Sequence, residues 1–214
     1  MKLIIGNRNY SSWSLRGWLA ARASGMRFEE IHVALDTPGS SERILAHCPT
    51  GKVPCLNDHG LLIWDSLAIG EYLADQQPAL LPAARDARAV ARSVIAEMHS
   101  GFVALRTHLP MNVRKDYRAH GHDNAADADI ARVIALWKDC RARFGSGGPY
   151  LFGDFSLADA AYAPVCFRFR TYGVEPDGSA GDYLRTMLAH PLMQEWEAGA
   201  RAETASMPAA DLYG

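Results

Sequence analysis

Three of the four residues from Ser11 to Ser14 are serines, set around Trp13 just ahead of an apolar helical stretch. A hydroxyl at a helix N-terminus can donate a hydrogen bond to a bound thiolate. The helix dipole adds positive potential there, and both effects lower a thiol's pKa toward neutrality. The same serines also suit plain helix capping. Farther along, Asp65-Ser66 opens a second helix, and Ser156 and Asp159 form a capping box at the start of a third. His99 and Arg106, seven residues apart on one predicted helix, share an azimuth and could face a cleft. An ion pair is the alternative role for Arg106. His120-Gly121-His122 sits in a polar loop without further ligands at metal spacing, so no metal site is expected.

The elements that must hold these residues fall into two groups. Lys2 to Ile5 reads as a strand, Ser14 to about Ala23 as a helix with Leu15, Trp18 and Leu19 on one face, and Phe28 to Leu35 as an alternating strand. After a short irregular helix, Val53 to Leu56 and Leu61 to Trp64 are apolar runs joined by Asn57-Asp58-His59-Gly60, which suits an antiparallel hairpin. Ser66 to about Gln76 closes this group as a helix. The sum is βαβ, α, ββα, predicted as an α+β domain over residues 1–77.

Residues 78–85 carry Pro78 and Pro82 and are expected to be a linker without regular structure. Residues 86–214 lack strand signals and are expected to be all-helical. Val90, Val94, Met98, Phe102 and Leu105 predict one long helix, and Ile130, Ile134, Trp137 and Arg141 another. Further helices are predicted at Ser156 to Arg170, where Pro164 should bend the axis, at about Ala180 to Leu188, and from Pro191 to Arg201.

The 214 residues carry 22 basic and 24 acidic side chains, a formal charge of -2, so no general field draws the chain to nucleic acid or an anionic membrane. Met1 to Gly6 reads as a strand and not as a signal peptide, and no stretch approaches the roughly 20 apolar residues of a membrane span. Cys48, Cys55, Cys140 and Cys166 contain no CxxC pair, which favours a reduced, cytoplasmic location over a disulfide framework or zinc knuckle.

Nearly the whole chain resembles the cytosolic glutathione S-transferase family. Tyr10-Ser11-Ser12-Trp13-Ser14-Leu15-Arg16 resembles the SSxS start of the zeta class and related bacterial enzymes. Lys52-Val53-Pro54 followed by Asp65-Ser66-Leu67-Ala68-Ile69 is similar to the family's glutathione site, and Ser156-Leu157-Ala158-Asp159 to its C-terminal capping box. The resemblance implies a thioredoxin-like first domain whose usual CxxC is replaced by serines. The nucleophile then belongs to glutathione, with Ser11 the favoured hydroxyl donor and Ser12 the reserve. It also implies a cis bond before Pro54, where a trans edge-strand proline is the alternative. The backbone of Val53 would pair with the cysteinyl unit. Ser66 would receive the γ-glutamyl carboxylate, Asp65 the ammonium and Lys52 the glycyl carboxylate, against plain roles as an N-cap serine, a loop acid and a surface lysine.

The activity so implied is attack of the glutathione thiolate on a small electrophile by a homodimer. Glutathione-dependent cis-trans isomerisation of a maleyl diacid and a non-enzymatic binding module are the alternatives. Trp13 stands where zeta-class isomerases commonly have cysteine, so its indole, together with Arg106, is expected to shape the electrophile pocket. An apolar wall there would favour hydrophobic electrophiles over diacids. Packing of Trp13 away from the site is the other possibility.

Overall fold

The computed structural model describes residues 1–213. Strand β1 (Lys2–Ile5) buries Leu3, Ile4 and Ile5 and runs through the interior of a four-stranded sheet of order β2-β1-β3-β4. It is parallel to β2 (Glu29–His32) and antiparallel to β3 (Cys55–Asp58), which pairs in turn with β4 (Leu61–Trp64). A parallel pair needs a crossover, and α1 (Ser12–Ala23) supplies it. The predicted apolar face of α1 is real: Leu15, Trp18 and Leu19 are fully buried. A short α2 (Ser40–Leu45) precedes the hairpin, and α3 (Ser66–Gln76) follows it.

The sheet departs from expectation at three places. β2 is shorter than predicted because it is an edge strand, and past His32 only the bond from the Val33 N–H to the Ile5 carbonyl, at 2.9 Å, continues the pairing. The hairpin turn is also shorter. Asp58 still pairs with Leu61, leaving His59 and Gly60, both at positive φ (50° and 99°), as a two-residue turn that matches the twist of its strands. Val53 and Pro54 precede β3 and do not belong to it, and the bond between them is cis.

Pro78–Leu80 forms a single 3-10 turn where no regular structure was expected. The helical domain follows with α4 (Arg85–Ser100), α5 (Val103–His108), α6 (Asn124–Phe144), α7 (Leu157–Tyr172), α8 (Gly178–Ala189) and α9 (Pro191–Ala202). The one long helix predicted through Leu105 is two. Gly101 ends α4, and Phe102 buries its ring from the left-handed conformation at φ 56°, which turns the chain before α5. The periodicity persists across the break because Met98, Phe102 and Leu105 all reach the same core. Ser156 and Asp159 cap α7 as predicted, and Pro191 occupies the first turn of α9.

Helix α1 packs against α3 on one side and α7 on the other, so its N-terminus lies at the seam between the two domains. No helix among the described residues is long and apolar enough to cross a membrane.

Candidate functional site

Ser11 is the N-cap of α1. Its Oγ accepts from the Ser14 N–H at 3.3 Å and lies 2.8 Å from the Ser14 Oγ, which in turn accepts from the Gly6 N–H at 3.0 Å. Ser12 is the first residue of the helix. Both serines are 8% exposed, so only a small part of each reaches the surface. Gly17 on the same helix lets α1 approach the cis turn closely, since a β-carbon there would meet the Pro54 ring at 2.8 Å.

A cleft of about 690 Å³ opens along the seam, lined by Trp13, Lys52, Val53, Pro54, Asp65 and Ser66 together with Thr50, Trp64, His99 and Ser100. Seven of the residues singled out in the sequence, His99 among them, are therefore brought together. Ser11, Ser12 and Arg106 do not line the cleft, although Ser12 adjoins Trp13 in the chain. Neither the N–H nor the C=O of Val53 makes a backbone hydrogen bond among the described residues, so an extended peptide could pair with both.

Asp65, and not Ser66, is the N-cap of α3. Its Oδ1 accepts from the Leu67 N–H at 2.8 Å, and Ser66 is the first helical residue. Asp65 sits at φ 73°, a conformation that costs a non-glycine residue of order 1 to 3 kcal/mol and that clusters at binding sites. Its other oxygen, Oδ2, lies 3.3 Å from the Nε2 of His99.

Trp13 is half-buried on the cleft wall and does not turn into the core. His99 packs edge-on to its indole with ring centroids 5.1 Å apart, and the guanidinium carbons of Arg16 and Arg106 lie 4.5 and 5.5 Å from the indole centroid. Arg106 makes no ion pair among the described residues; it donates to the His99 carbonyl at 3.2 Å, at the C-terminal end of α4 where a cation is favoured. Burial holds it below the usual guanidinium range.

Arg16 went unassigned in the sequence because Leu15, Trp18 and Leu19 around it read simply as a core face. It is 5% exposed, and its Nε and Nη2 find no partner among the described residues. Burial first, then the positive charges of Arg168 and Arg106, push its pKa down to about 9. Arg168 on α7 is likewise buried, donates to the Leu109 carbonyl at 2.8 Å, and leaves Nη1 without a partner. Two guanidinium groups, those of Arg16 and Arg106, thus lie beside Trp13, and none of the three arginines is in an ion pair among the described residues. Arg16 also borders a small void of about 20 Å³ that Ser66 and His99 share with the cleft, room for about one water.

Family models match most of the chain: that of the glutathione S-transferase N-terminal domain over residues 10–76 and that of the C-terminal domain over residues 82–199. Maleylacetoacetate isomerase of Rattus norvegicus is 31% identical over 167 residues, covering 73% of this chain and 72% of its own. Glutathione S-transferase L2, chloroplastic, of Arabidopsis thaliana is 27% identical over 162 residues, 72% of this chain, which spans only 49% of that relative's length. Among solved structures, a maleyl pyruvate isomerase, a bacterial zeta-class member, superposes with a TM-score of 0.71 at 23% identity, covering 96% of this chain and 100% of its own. A glutathione transferase homolog from Burkholderia with bound glutathione superposes with a TM-score of 0.68 at 24% identity, covering 94% of this chain and 98% of its own.

Proposed function

The chain belongs to the glutathione S-transferase family, and on that premise we propose that it binds glutathione in the cleft between its domains and transfers it to a small electrophile. The observation that supports this best is the grouping of Lys52, Val53, Asp65 and Ser66 along one cleft that ends at the N-terminus of α1. Asp65 takes the ammonium group, and Ser66 with the first N–H groups of α3 takes the γ-glutamyl carboxylate. The cysteinyl unit pairs with the backbone of Val53, and Lys52 meets the glycyl carboxylate.

That placement directs the thiol toward Ser11, with Ser12 the reserve donor. A hydroxyl hydrogen bond and the helix dipole favour the thiolate over the thiol. The sulfur then bonds to the electrophilic carbon, whose leaving group departs with the electron pair. Purified protein, glutathione and a panel of aryl halides, epoxides and maleyl diacids test the reading. Conjugate formation supports it, and a panel without turnover, combined with no glutathione binding, overturns it.

A second reading is favoured by one specific feature, the guanidinium groups of Arg16 and Arg106 beside Trp13, neither of them in an ion pair among the described residues. An electrophile carrying a carboxylate would offset this charge, as a maleyl diacid undergoing isomerisation would. The cytoplasm is the compartment proposed, since all four cysteines are free and buried. A homodimer is proposed through exposed apolar side chains, among them Leu61 and Trp64 on β4 and Val103 on α5.

A further inference from the structure

The loop that delivers Ser11, residues 7–11, is held almost entirely by groups far away in sequence. The Glu203 carboxylate, just past α9, accepts from the Arg8 N–H at 2.7 Å and from the Asn9 N–H at 3.1 Å. The Trp196 indole N–H donates to the Arg8 carbonyl at 2.9 Å, and the Val113 N–H to the Asn9 carbonyl at 3.3 Å. The Asn9 side chain, fully buried, accepts from the Arg114 N–H at 2.9 Å and donates to Asn112 at 2.9 Å. Next to Ser11, the Tyr10 hydroxyl donates to Asp211 at 3.0 Å and accepts from Arg114 at 3.0 Å. Arg114 in turn grips the carbonyls of Glu203 and Ala205, and Asn112 donates to Asp211 at 2.7 Å.

We propose that the segment from Glu203 to Asp211 is a clasp that sets the position of the Ser11 hydroxyl, with Glu203 as its principal positioning residue. Resting on the glutathione-transferase reading above, the proposal explains why a carboxylate is only half-buried yet almost fully engaged. Glu203 accepts two backbone N–H groups and a contact from His32 Nε2 at 3.0 Å, and no other acceptor serves those two N–H groups among the described residues. Without it, the Arg8 and Asn9 N–H groups lose their acceptor while their carbonyls stay held by Trp196 and Val113, so the turn from Asn7 to Ser11, closed by the Ser11 N–H to the Asn7 carbonyl at 2.8 Å, can tilt about those remaining contacts. Glutathione binding at Asp65 and Ser66 lies at a different helix start and does not depend on this loop. The clasp therefore acts on the thiol and not on overall affinity.

Glu203→Gln keeps the shape of the side chain and removes one acceptor oxygen together with the charge. The thiol pKa of bound glutathione, read by ultraviolet titration, should rise by about half a unit or more, because the hydroxyl no longer meets the sulfur squarely. On an aryl halide, kcat should fall about tenfold, as small misplacements of reacting groups cost rates of that order, while the dissociation constant for glutathione stays within about twofold. Tyr10→Phe removes only the hydroxyl that Asp211 and Arg114 hold, and should shift the thiol pKa the same way if Glu203→Gln fails to fold. A lowered melting temperature with an unchanged thiol pKa and kcat in these variants overturns the clasp. If Ser11→Ala and Ser12→Ala also leave the thiol pKa where it was, the serine reading itself fails; if either serine moves it and the clasp variants do not, only this inference fails.

Discussion

His99 brings its Nε2 to 3.3 Å from the Oδ2 of Asp65, joining the last turn of α4 to the N-cap of α3 across the seam between the domains. One carboxylate thus does two tasks before any ligand arrives. Oδ1 satisfies the Leu67 N–H, and Oδ2 faces the cleft with a histidine for company. An incoming ammonium group would replace or share that partner.

Asp65→Asn separates the two tasks, because asparagine caps helices and tolerates positive φ as well as aspartate does, but carries no charge. The fold should survive, and glutathione should bind about tenfold more weakly, the scale of a hydrogen bond to a charged group. Calorimetric titration with glutathione and with cysteinylglycine, which lacks the γ-glutamyl unit, checks this. Equal losses for both ligands would show that Asp65 does not meet the ammonium group.

Ser66→Ala tests the partner at the same helix start. Ser66 is 8% exposed and borders both the cleft and the small void near Arg16. Loss of its hydroxyl should weaken glutathione by roughly 1 to 2 kcal/mol. An unchanged dissociation constant in the folded variant removes Ser66 from the binding site.

Much of this site was legible because its parts are local. Ser11-Ser12, Val53-Pro54 and Asp65-Ser66 are short segments whose residue types announce a helix start or a turn, and the cleft does collect the last two with Trp13 and Lys52. What sequence did not disclose depends on distant elements. Arg16 lies among core residues of α1, and only the approach of α7, with Arg168, makes it a buried cation short of partners. The break at Gly101 and Phe102 was hidden because a helical spacing of apolar residues survives it. Glu203 looks like a solvated charge until Arg8 and Asn9 turn their N–H groups toward it. Burial alone would raise its pKa, but hydrogen bonds from His32 and those two N–H groups outweigh it and hold the carboxyl below the usual range.

Asp159 gives a stability prediction with a defined sign. Its carboxylate is fully buried and accepts from the Leu151 N–H at 3.1 Å, the Ser156 N–H at 2.8 Å and the Ser156 hydroxyl at 3.0 Å. Asp159→Ala should cost about 2 to 4 kcal/mol, since a cap is lost and two buried backbone donors are orphaned. Burial nonetheless pushes the folded pKa from 3.8 up to about 6, against those hydrogen bonds. A folded pKa above the unfolded one means the native state binds the extra proton. This group's contribution is thus fully present below about pH 4 and is lost as pH rises through about 6, by roughly 3 kcal/mol. Urea unfolding at pH 4 and pH 7 should show that slope in the wild type and not in Asp159→Asn. A difference between the two proteins of the opposite sign would mean the hydrogen bonds win over burial.

The electrophile side of the cleft depends on whether Trp13 acts as an apolar wall or as a platform for cations. Taken alone, the indole favours hydrophobic electrophiles over diacids, because apolar aromatic surface offers a carboxylate one N–H donor at most. In the fold, however, Arg16 and Arg106 both lie within 5.5 Å of its ring centroid, and neither has an ion-pair partner among the described residues. Arg106 is half-buried and its guanidinium leaves donors to spare beyond the one bond to the His99 carbonyl, so it can meet a substrate carboxylate at low cost in rearrangement. Arg106→Gln should then lower kcat/KM for a maleyl diacid about tenfold or more, the loss expected for a charge-assisted hydrogen bond, while an aryl halide stays within about twofold. Trp13→Cys should weaken the aryl halide more than the diacid, since it removes aromatic surface and leaves Arg106 in place. Steady-state rates of the wild type and both variants on the two substrates decide the matter. If Arg106→Gln slows both substrates alike, the guanidinium only holds the end of α4, and the apolar wall of Trp13 sets the preference.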